Sequence, residues 1–425
     1  METIYLCIVI FLLCLAVFDL FVGVSNDAVN FLQSAVGARV ATFRTVLIIA
    51  SVAVVLGAVL SSGMMDIARH GIMMPARYSF HEVMTVFLAV MVTDVIILDV
   101  FNSLGMPTST TVSLVFELLG GAFMISTLKI MGDPSLDYGM LLNSDKALSV
   151  IIAIFVSVAI SFVVGMIVMW ISRVVFTFNY KKHSRYAIAI FGGISFTVLA
   201  YFIFMKGVGN SPYVSESVRD YINSNINLLL IYTFIGSTIV MEVLHLCRVD
   251  IFKFVVLMGT FGLAMAFAGN DLVNFIGVPL AGLASYQDYA ANAHGAGVDT
   301  FMMKSLMESA KTPPFYLMAA GIIMIVAMGT SKKAQNVIKT SVDLARQDEG
   351  DEMFGSSKAA RAIVRFCQWG VESVAHIFPA SLRNWINSRF NANEVELVDD
   401  KAAFDVVRAA VNLVIASMLI TFGTN

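Results

Sequence analysis

The stretch Phe21-Val-Gly-Val-Ser-Asn-Asp-Ala-Val-Asn-Phe31 returns, 244 residues later, as Phe267-Ala-Gly-Asn-Asp-Leu-Val-Asn-Phe275. The common core, Asn-Asp-x-Val-Asn-Phe, has five identities in six positions and places an acid inside an apolar segment each time. This repetition indicates a duplication. Because the copies are so far apart, we expect two related halves of several helices each.

The composition places both halves in a membrane. Apolar residues make up 58% of the 425 positions and charged residues 13%, whereas soluble domains carry about 45–50% and about 25%. An ordinary cytosolic enzyme is therefore excluded. The net charge of −3 gives no sign of nucleic-acid binding, and four scattered cysteines do not form a disulfide framework. We expect an all-α, polytopic membrane protein.

Apolar segments of the length needed to cross a bilayer recur along the chain. A span takes roughly 20 mostly apolar residues. The predicted spans are 4–24, 45–63, 83–104, 148–172, 187–206, 226–246, 252–268, 313–330 and 403–422. Two shorter apolar stretches, 108–128 and 272–285, follow polar breaks, which favours re-entrant or half-helical segments.

Basic residues and changes in composition divide the chain. Lysines at 181–182 and 332–333 are expected on the cytoplasmic side, which favours a multi-pass protein of the plasma (inner) membrane. Charged residues concentrate in 331–408, which holds 22 of the 57. The predicted parts are a first transmembrane repeat (1–180, with a re-entrant hairpin near 107–128), connecting helices (181–246), a second repeat (247–330, broken at 269–274), a cytoplasmic helical insertion (331–402) and the start of a final span (403–425).

The duplicated motif has the chemistry of a cation site. Acids at membrane depth are costly and mark function, and amide oxygens beside a carboxylate suit a hard cation. Gly23 and Gly269 just before each motif are expected to permit helix interruption. The alternative is that the acids are buried, protonated packing residues. The predicted cation ligands are Asn26, Asp27, Asn270 and Asp271.

A second motif, Gly105-Met-Pro-Thr-Ser-Thr-Thr111, has the chemistry of an anion site. Glycine and proline end the preceding helix, and Ser and Thr begin the next segment. The N-terminus of a helix offers free N–H groups, a positive dipole end and here also hydroxyl donors. The alternative is the N-cap of an ordinary helix.

These two motifs together resemble the inorganic phosphate transporter (PiT) family of sodium- or proton-coupled phosphate symporters. The resemblance implies two inverted repeats with broken helices, a re-entrant hairpin that carries Ser-Thr-Thr, and a central phosphate with cations beside it. Asp66, in the stretch 65–72, is similar to an acidic position of the family. Val112 stands where many members have His. The implied phosphate ligands are Asn30, Ser109, Thr110, Thr111 and Asn274.

Electrostatics indicate how such a site would work. No Lys or Arg lies near the motifs in sequence, so ionised Asp27 and Asp271 would repel phosphate unless Na⁺ bound at both acids neutralised them. Symport by alternating access follows, without a resident cofactor and without enzymatic activity. The alternatives are a sulfate or related oxyanion permease, proton coupling, a channel, and an intramembrane aspartyl protease built on the two acids.

Three further expectations remain. Asp94 and Asp99, about one turn apart, either support the hairpin or join the cation site. No Pro-x-Ser-Thr-Thr follows the second motif, and the stretch 420–425 resembles residues 98–104 before the first hairpin. We therefore expect a truncated form whose second hairpin is missing. A homo-oligomer is compatible with the sequence.

Overall fold

The computed structural model describes residues 2–60, 69, 71–182, 185–202, 214–308, 312–347, 355, 357–375, 379–391, 397 and 401–423. In that part of the chain the regular structure is helical, as predicted. The first nine helices are α1 (Glu2–Asp27), α2 (Val29–Gly37), α3 (Phe43–Leu60), α4 (Phe80–Ser103), α5 (Thr110–Gly132), α6 (Tyr138–Leu141), α7 (Ser144–Phe176), α8 (Arg185–Phe202) and α9 (Glu216–Leu246). The others are α10 (Ile251–Asn270), α11 (Leu272–Asn292), α12 (Pro314–Thr330), α13 (Lys332–Leu344), α14 (Lys358–Ala375), α15 (Ala380–Ser388) and α16 (Val406–Gly423).

The helices confirm a multi-pass membrane protein. Within the described residues, six helical segments are long and apolar enough to cross a bilayer, counting α1–α2 and α10–α11 as one segment each. The pair α12–α13 passes the same test together but bends by 69°. The apolar helices α3, α8 and α16 are shorter. Each predicted span overlaps one of these helices; residues 61–63 and 203–206 of two predicted spans lie outside the described residues.

Helix α5 is longer than the sequence suggested. The segment 108–128 was expected to be too short for a full span, but α5 runs for 23 residues to Gly132. It continues past Lys129 because that ammonium reaches Glu82 of α4 at 2.7 Å, so the charge at this end of the helix is compensated. The stretch 272–285 is likewise part of a longer helix, α11.

The two copies of the motif lie at matching junctions between consecutive helices. Helix α1 ends at Asp27 and α2 follows after Ala28, while α10 ends just before Asp271 and α11 follows directly, with the backbone near helical at both junctions. The packing around these junctions is reciprocal. Helix α1 packs against α11, α12 and α4, and α10 packs against α2, α3 and α16. The set α1, α2, α3, α4 thus corresponds to α10, α11, α12, α16, as expected for halves related by a two-fold axis.

The phenylalanine that ends each copy of the motif packs against a helix of the other half. Phe275 lies so close to Gly23 that a Cβ there would fall 2.0 Å from its ring. At the equivalent positions, the ring of Phe31 lies 5.7 Å from that of Phe267. Gly23 sits inside α1 rather than at its end, which corrects the expectation that it interrupts the helix. Its small size permits the close approach of the other half.

Helix α13 begins the region predicted as a cytoplasmic insertion, yet it packs on the bundle, against α2, α1 and α4. The hydroxyl of Ser25 donates to that of Ser331 (2.7 Å), and the Gln33 amide donates to the Ser341 carbonyl (2.9 Å). The predicted limits of the domains remain a prediction. The position of α13 at the end of α1 places it beside the motif.

Candidate functional site

The turn between α4 and α5 carries the Ser-Thr-Thr motif. Helix α4 ends at Ser103, and Gly105 takes the left-handed conformation (φ 68°) that glycine adopts most readily. Ser109 is the N-cap of α5, and its hydroxyl accepts the N–H of Val112 at 3.3 Å. The predicted helix end and the predicted helix start at this motif are both confirmed.

Asn26 fixes this turn against α1. Its side-chain NH₂ donates to the side-chain oxygen of Asn102 (2.9 Å) and to the carbonyl of Met106 (3.0 Å), and its oxygen accepts the N–H of Thr108 (2.7 Å). The side chain is fully buried. Asn26 was predicted as a cation ligand, but the structure uses its amide to hold the loop before α5 in place.

The first two residues of α5 form hydrogen bonds to different copies of the repeated motif. The hydroxyl of Thr110 donates to a carboxylate oxygen of Asp27 at 2.7 Å. The hydroxyl oxygen of Thr111 accepts from the side-chain amide of Asn274 at 3.0 Å. The N-terminus of α5 is therefore bonded to both copies of the motif. Thr110 uses its proton on Asp27, whereas Thr111 keeps its proton for another acceptor.

A cavity of about 510 Å³ opens at this point. It brings together residues from both copies of the motif and from the N-terminus of α5. Its lining consists of Asp27, Asn30, Pro107, Thr108, Ser109, Thr110, Thr111, Phe267 and Asp271. Six of the predicted site residues meet there, and Asn274 is one hydrogen bond away. Among these described lining residues, none is Lys, Arg or His.

The cavity combines two kinds of binding group. The carboxylates of Asp27 and Asp271 and the amide of Asn30 offer oxygens to a cation. The hydroxyls of Ser109 and Thr111, with the unpaired N–H groups of the first turn of α5, offer donors to an anion. Such a cavity suits an anion and a cation bound side by side better than either ion alone.

Other predicted residues lie elsewhere. The carboxylate of Asp99 bonds the ammonium of Lys333 at 2.5 Å, and both side chains are nearly half exposed. Asp94 is buried next to Asp19, away from the lining of the cavity. Asp66 and the side chain of Asn270 lie outside the described residues.

Sequence reasoning missed two parts of this region. Thr108 lines the cavity but was not selected, although it lies inside the motif 105–111. Glu117 was also not selected, although it is an acid within an apolar helix and eight residues beyond the Ser109 cap. An intramembrane acid marks function by default, so that rule alone would have selected Glu117.

Comparison with known proteins points to the same motifs. The sequence profile of the Phosphate transporter family matches residues 23–343, which include both copies of the repeat and the α4–α5 turn. The chain belongs to the phosphate transporter family. This confirms the resemblance to phosphate transporters.

A solved structure has the same fold as this member of the phosphate transporter family. That structure is described as "The sodium-dependent phosphate transporter", and the match has a TM-score of 0.59 at 18% identity, covering 98% of each chain. At that identity the similarity shows the fold alone. A search of curated proteins found no significant match.

Proposed function

We propose that this protein imports inorganic phosphate across the plasma (inner) membrane by symport with Na⁺, through alternating access of the cavity between α1, α5 and α10–α11. It needs no resident cofactor for this. The family to which the chain belongs supports phosphate as the substrate, and the sodium dependence stated for the structural neighbour supports Na⁺ as the coupling ion.

One observation carries the proposal: two carboxylates face the N-terminus of α5 in a cavity whose described lining contains no basic side chain. Phosphate carries up to two negative charges near neutral pH and is strongly disfavoured beside Asp27 and Asp271 alone. Na⁺ bound to these carboxylates would place positive charge next to the phosphate oxygens. Each ligand then improves the site for the other, and this reciprocity is a coupling free energy.

The arrangement of the halves supports alternating access. The two motifs lie at the equivalent junctions α1–α2 and α10–α11, and transporters with repeated halves commonly bind substrate at the interface of the repeats. Thr110 and Thr111 connect α5 to both motifs. A movement of one half relative to the other would therefore change the cavity directly.

The test is uptake of radiolabelled phosphate into proteoliposomes that contain the full chain, with Na⁺ or choline outside at constant pH. We expect saturable uptake with Na⁺ and a loss of at least tenfold with choline. Unlabelled sulfate in excess should not compete. Strong competition by sulfate would instead identify an oxyanion permease, and equal uptake in choline would contradict sodium coupling.

Variants assign the cation site. Asp27→Asn and Asp271→Asn should each abolish Na⁺-dependent uptake while the protein still inserts, because each removes the charge partner of a cation and none of the bulk. Asp133→Asn, at an exposed acid after α5, is the matched control and should transport normally. Wild-type rates in both site variants would refute the assignment of Na⁺ to these acids.

A further inference from the structure

Three acids from three helices meet in the core beyond the cavity. Asp19 of α1 is fully buried, and neither of its carboxylate oxygens has a hydrogen-bond partner. Asp94 of α4 is 2% exposed, with one oxygen unpartnered. Glu117 of α5 also has a buried oxygen without a partner. Acids without partners at this depth require an explanation, since each ionised one is costly.

The three acids lie close together, and one hydroxyl lies between two of them. The hydroxyl of Ser113 donates to Glu117 at 2.8 Å and also lies within hydrogen-bonding reach of Asp94. Asp94 in turn lies beside Asp19, without a hydrogen bond between them. Two carboxyl groups lie side by side in this way when at least one proton is bound to the pair, because two carboxylates would repel each other.

The charges around the cluster do not compensate it. The nearest charged groups to Asp19, besides Asp94 and Glu117, include another acid, Asp27. The packed helices α4, α5, α11 and α13 and the motif before α11 also carry the ion pairs Lys129–Glu82 and Lys333–Asp99, and His81, Asp271, Asp288, Lys332, Lys339 and Asp343. The charged groups that act on Asp19, Asp94 and Glu117 are acids, and Lys129 and Lys333 are each engaged by another carboxylate, so a proton is the simplest way to neutralise the cluster.

A second cavity reaches one acid of the cluster, Glu117, and shares two wall residues with the first cavity. It has a volume of about 570 Å³ and lies along α4 and α5, with Ser113 and Glu117 in its wall. Thr108 and Ser109 line both cavities. Water in this cavity would therefore reach Glu117 from the N-terminus of α5.

We propose that Asp19, Asp94 and Glu117 form a proton-binding site separate from the cavity that contains Asp27 and Asp271. Asp19 and Asp94 share one proton, and Glu117 exchanges protons with water in the second cavity. The hydroxyl of Ser113 passes a proton from Asp94 to Glu117 by accepting one and donating one, so no other reactant is consumed. A proton fits better than a metal ion, because within the described residues no group of three acid, His or Cys side chains is arranged to hold a metal.

The role of the proton site in transport rests on the proposed function. Protonation of the cluster would make phosphate uptake depend on pH at constant Na⁺. Its existence is testable without transport. A protonated carboxylic acid has an infrared C=O stretching band that an ionised carboxylate lacks. The experiment records this band for the full chain in lipid as the pH is raised, without phosphate.

We expect the wild-type protein to show the band at neutral pH and the double variant Asp19→Asn with Asp94→Asn to lose at least half of its intensity. Glu117→Gln should lose the part that titrates with bulk pH. Asp133→Asn is the control and should keep the full band. Asp133 is exposed, and the hydroxyl and N–H of Ser135 donate to it and lower its pKa, so it is ionised throughout.

Folding is checked in each variant by circular dichroism. Asn and Gln resemble neutral acids in size, so the variants should fold if the acids are protonated. Ser113→Ala keeps all carboxyl groups and should slow hydrogen–deuterium exchange of the band at least several-fold. A band unchanged by all these substitutions would overturn the proposal. So would the loss, on adding Na⁺, of the part of the band that Asp19→Asn with Asp94→Asn removes, because that loss would identify a metal site at the cluster. A protein that shows the band but transports no phosphate would contradict the proposed function and support the proton site.

Discussion

Thr110 and Thr111 are neighbours with opposite hydrogen-bond roles. Thr110 donates its proton to Asp27, and Thr111 accepts from Asn274. A hydroxyl that already donates is not free to bind a phosphate oxygen, whereas one that accepts is free to donate. The two residues are therefore expected to affect different ligands.

Thr111→Val should raise the KM for phosphate about tenfold or more at saturating Na⁺, since a hydrogen bond to a charged group contributes about 1.5–3 kcal/mol. Thr110→Val should instead raise the Na⁺ concentration needed for half-maximal uptake, because it removes the donor that positions Asp27. Thr127→Val, whose hydroxyl bonds the carbonyl of Phe123 outside the cavity, is the control. Identical effects of the two site variants would contradict this division of roles.

Asn26 and Asn30 belong to the same motif, but their substitution should change different properties of the protein. Asn26→Ala takes away the acceptor of the Thr108 N–H and the donor to the side-chain oxygen of Asn102, at a cost of about 1–3 kcal/mol each, so the Tm in detergent should fall. Asn30 is exposed to the cavity, so Asn30→Ala should weaken phosphate uptake with little change in Tm. An unchanged Tm in the Asn26→Ala variant would show that Asn26 does not stabilise the loop before α5.

At the residue scale, the sequence predicted most of the cavity because the repeat marks Asp27, Asn30, Asp271 and Asn274 and the Ser-Thr-Thr motif marks the rest. It did not show that Asn26 bonds the loop before α5, because hydrogen bonds to residues 76–82 positions away leave no local pattern. The acids near Asp19 could not be predicted either, since they come from two other helices.

Close helix packing makes Gly23 of α1 sensitive to substitution. Gly23→Ala places a Cβ 2.0 Å from the ring of Phe275, which is itself buried, and overpacking of this kind costs about 1–3 kcal/mol. The Tm should fall, and adding Phe275→Leu should restore much of it. Gly236→Ala, a helical position with no atom within 4 Å, should leave the Tm unchanged. Lack of rescue would show that Phe275 is not the obstacle.

At the element scale, the start of α5 was predictable from Gly105, Pro107 and Ser109, because caps and breakers act locally. The length of α5 was not, because its end depends on the contact of Lys129 with Glu82 of another helix. The site of α13 on the bundle was also missed. Its polar composition indicated a separate insertion, but Ser25 and Gln33 offer it polar partners.

For the molecule as a whole, a buried ion pair attaches the peripheral helix α7 to the core. Arg173 of α7 bonds Asp405 just before α16 at 2.5 Å, and the Gln347 amide donates to the same carboxylate at 2.9 Å. Asp405→Ala would leave Arg173 buried without its partner and should destabilise the fold by about 3–5 kcal/mol. Denaturant unfolding in detergent measures the change.

The half-exposed pair Arg346–Asp343 provides the control. Asp343→Ala should cost at most about 1 kcal/mol, because water already screens that pair. Equal decreases in the free energy of unfolding in the two variants would mean that the buried pair Arg173–Asp405 stabilises the fold no more than the half-exposed pair does.

At this largest scale, the duplicated motif alone predicted two related halves, and the reciprocal packing of α1 and α10 confirms them. Which helices correspond was mostly hidden, because apolar helices carry little register information and α3 and α12 share no recognisable sequence. The likeness of 420–425 to 98–104 did anticipate that α16 corresponds to α4.

Reciprocal packing also sets an order of events during synthesis. The partners of α1 in the other half are α11 and α12, and about 250 further residues must be synthesised after α1 before the first of them begins. At about 5–20 residues per second, α1 waits roughly ten seconds or more for them. During that interval its described neighbours from the first half, α2, α4 and α5, are the ones present to shield Asp19 and Asp27. The nascent first half must therefore remain in the membrane with its acids protonated, or bound to the insertion machinery, until the second half has been synthesised.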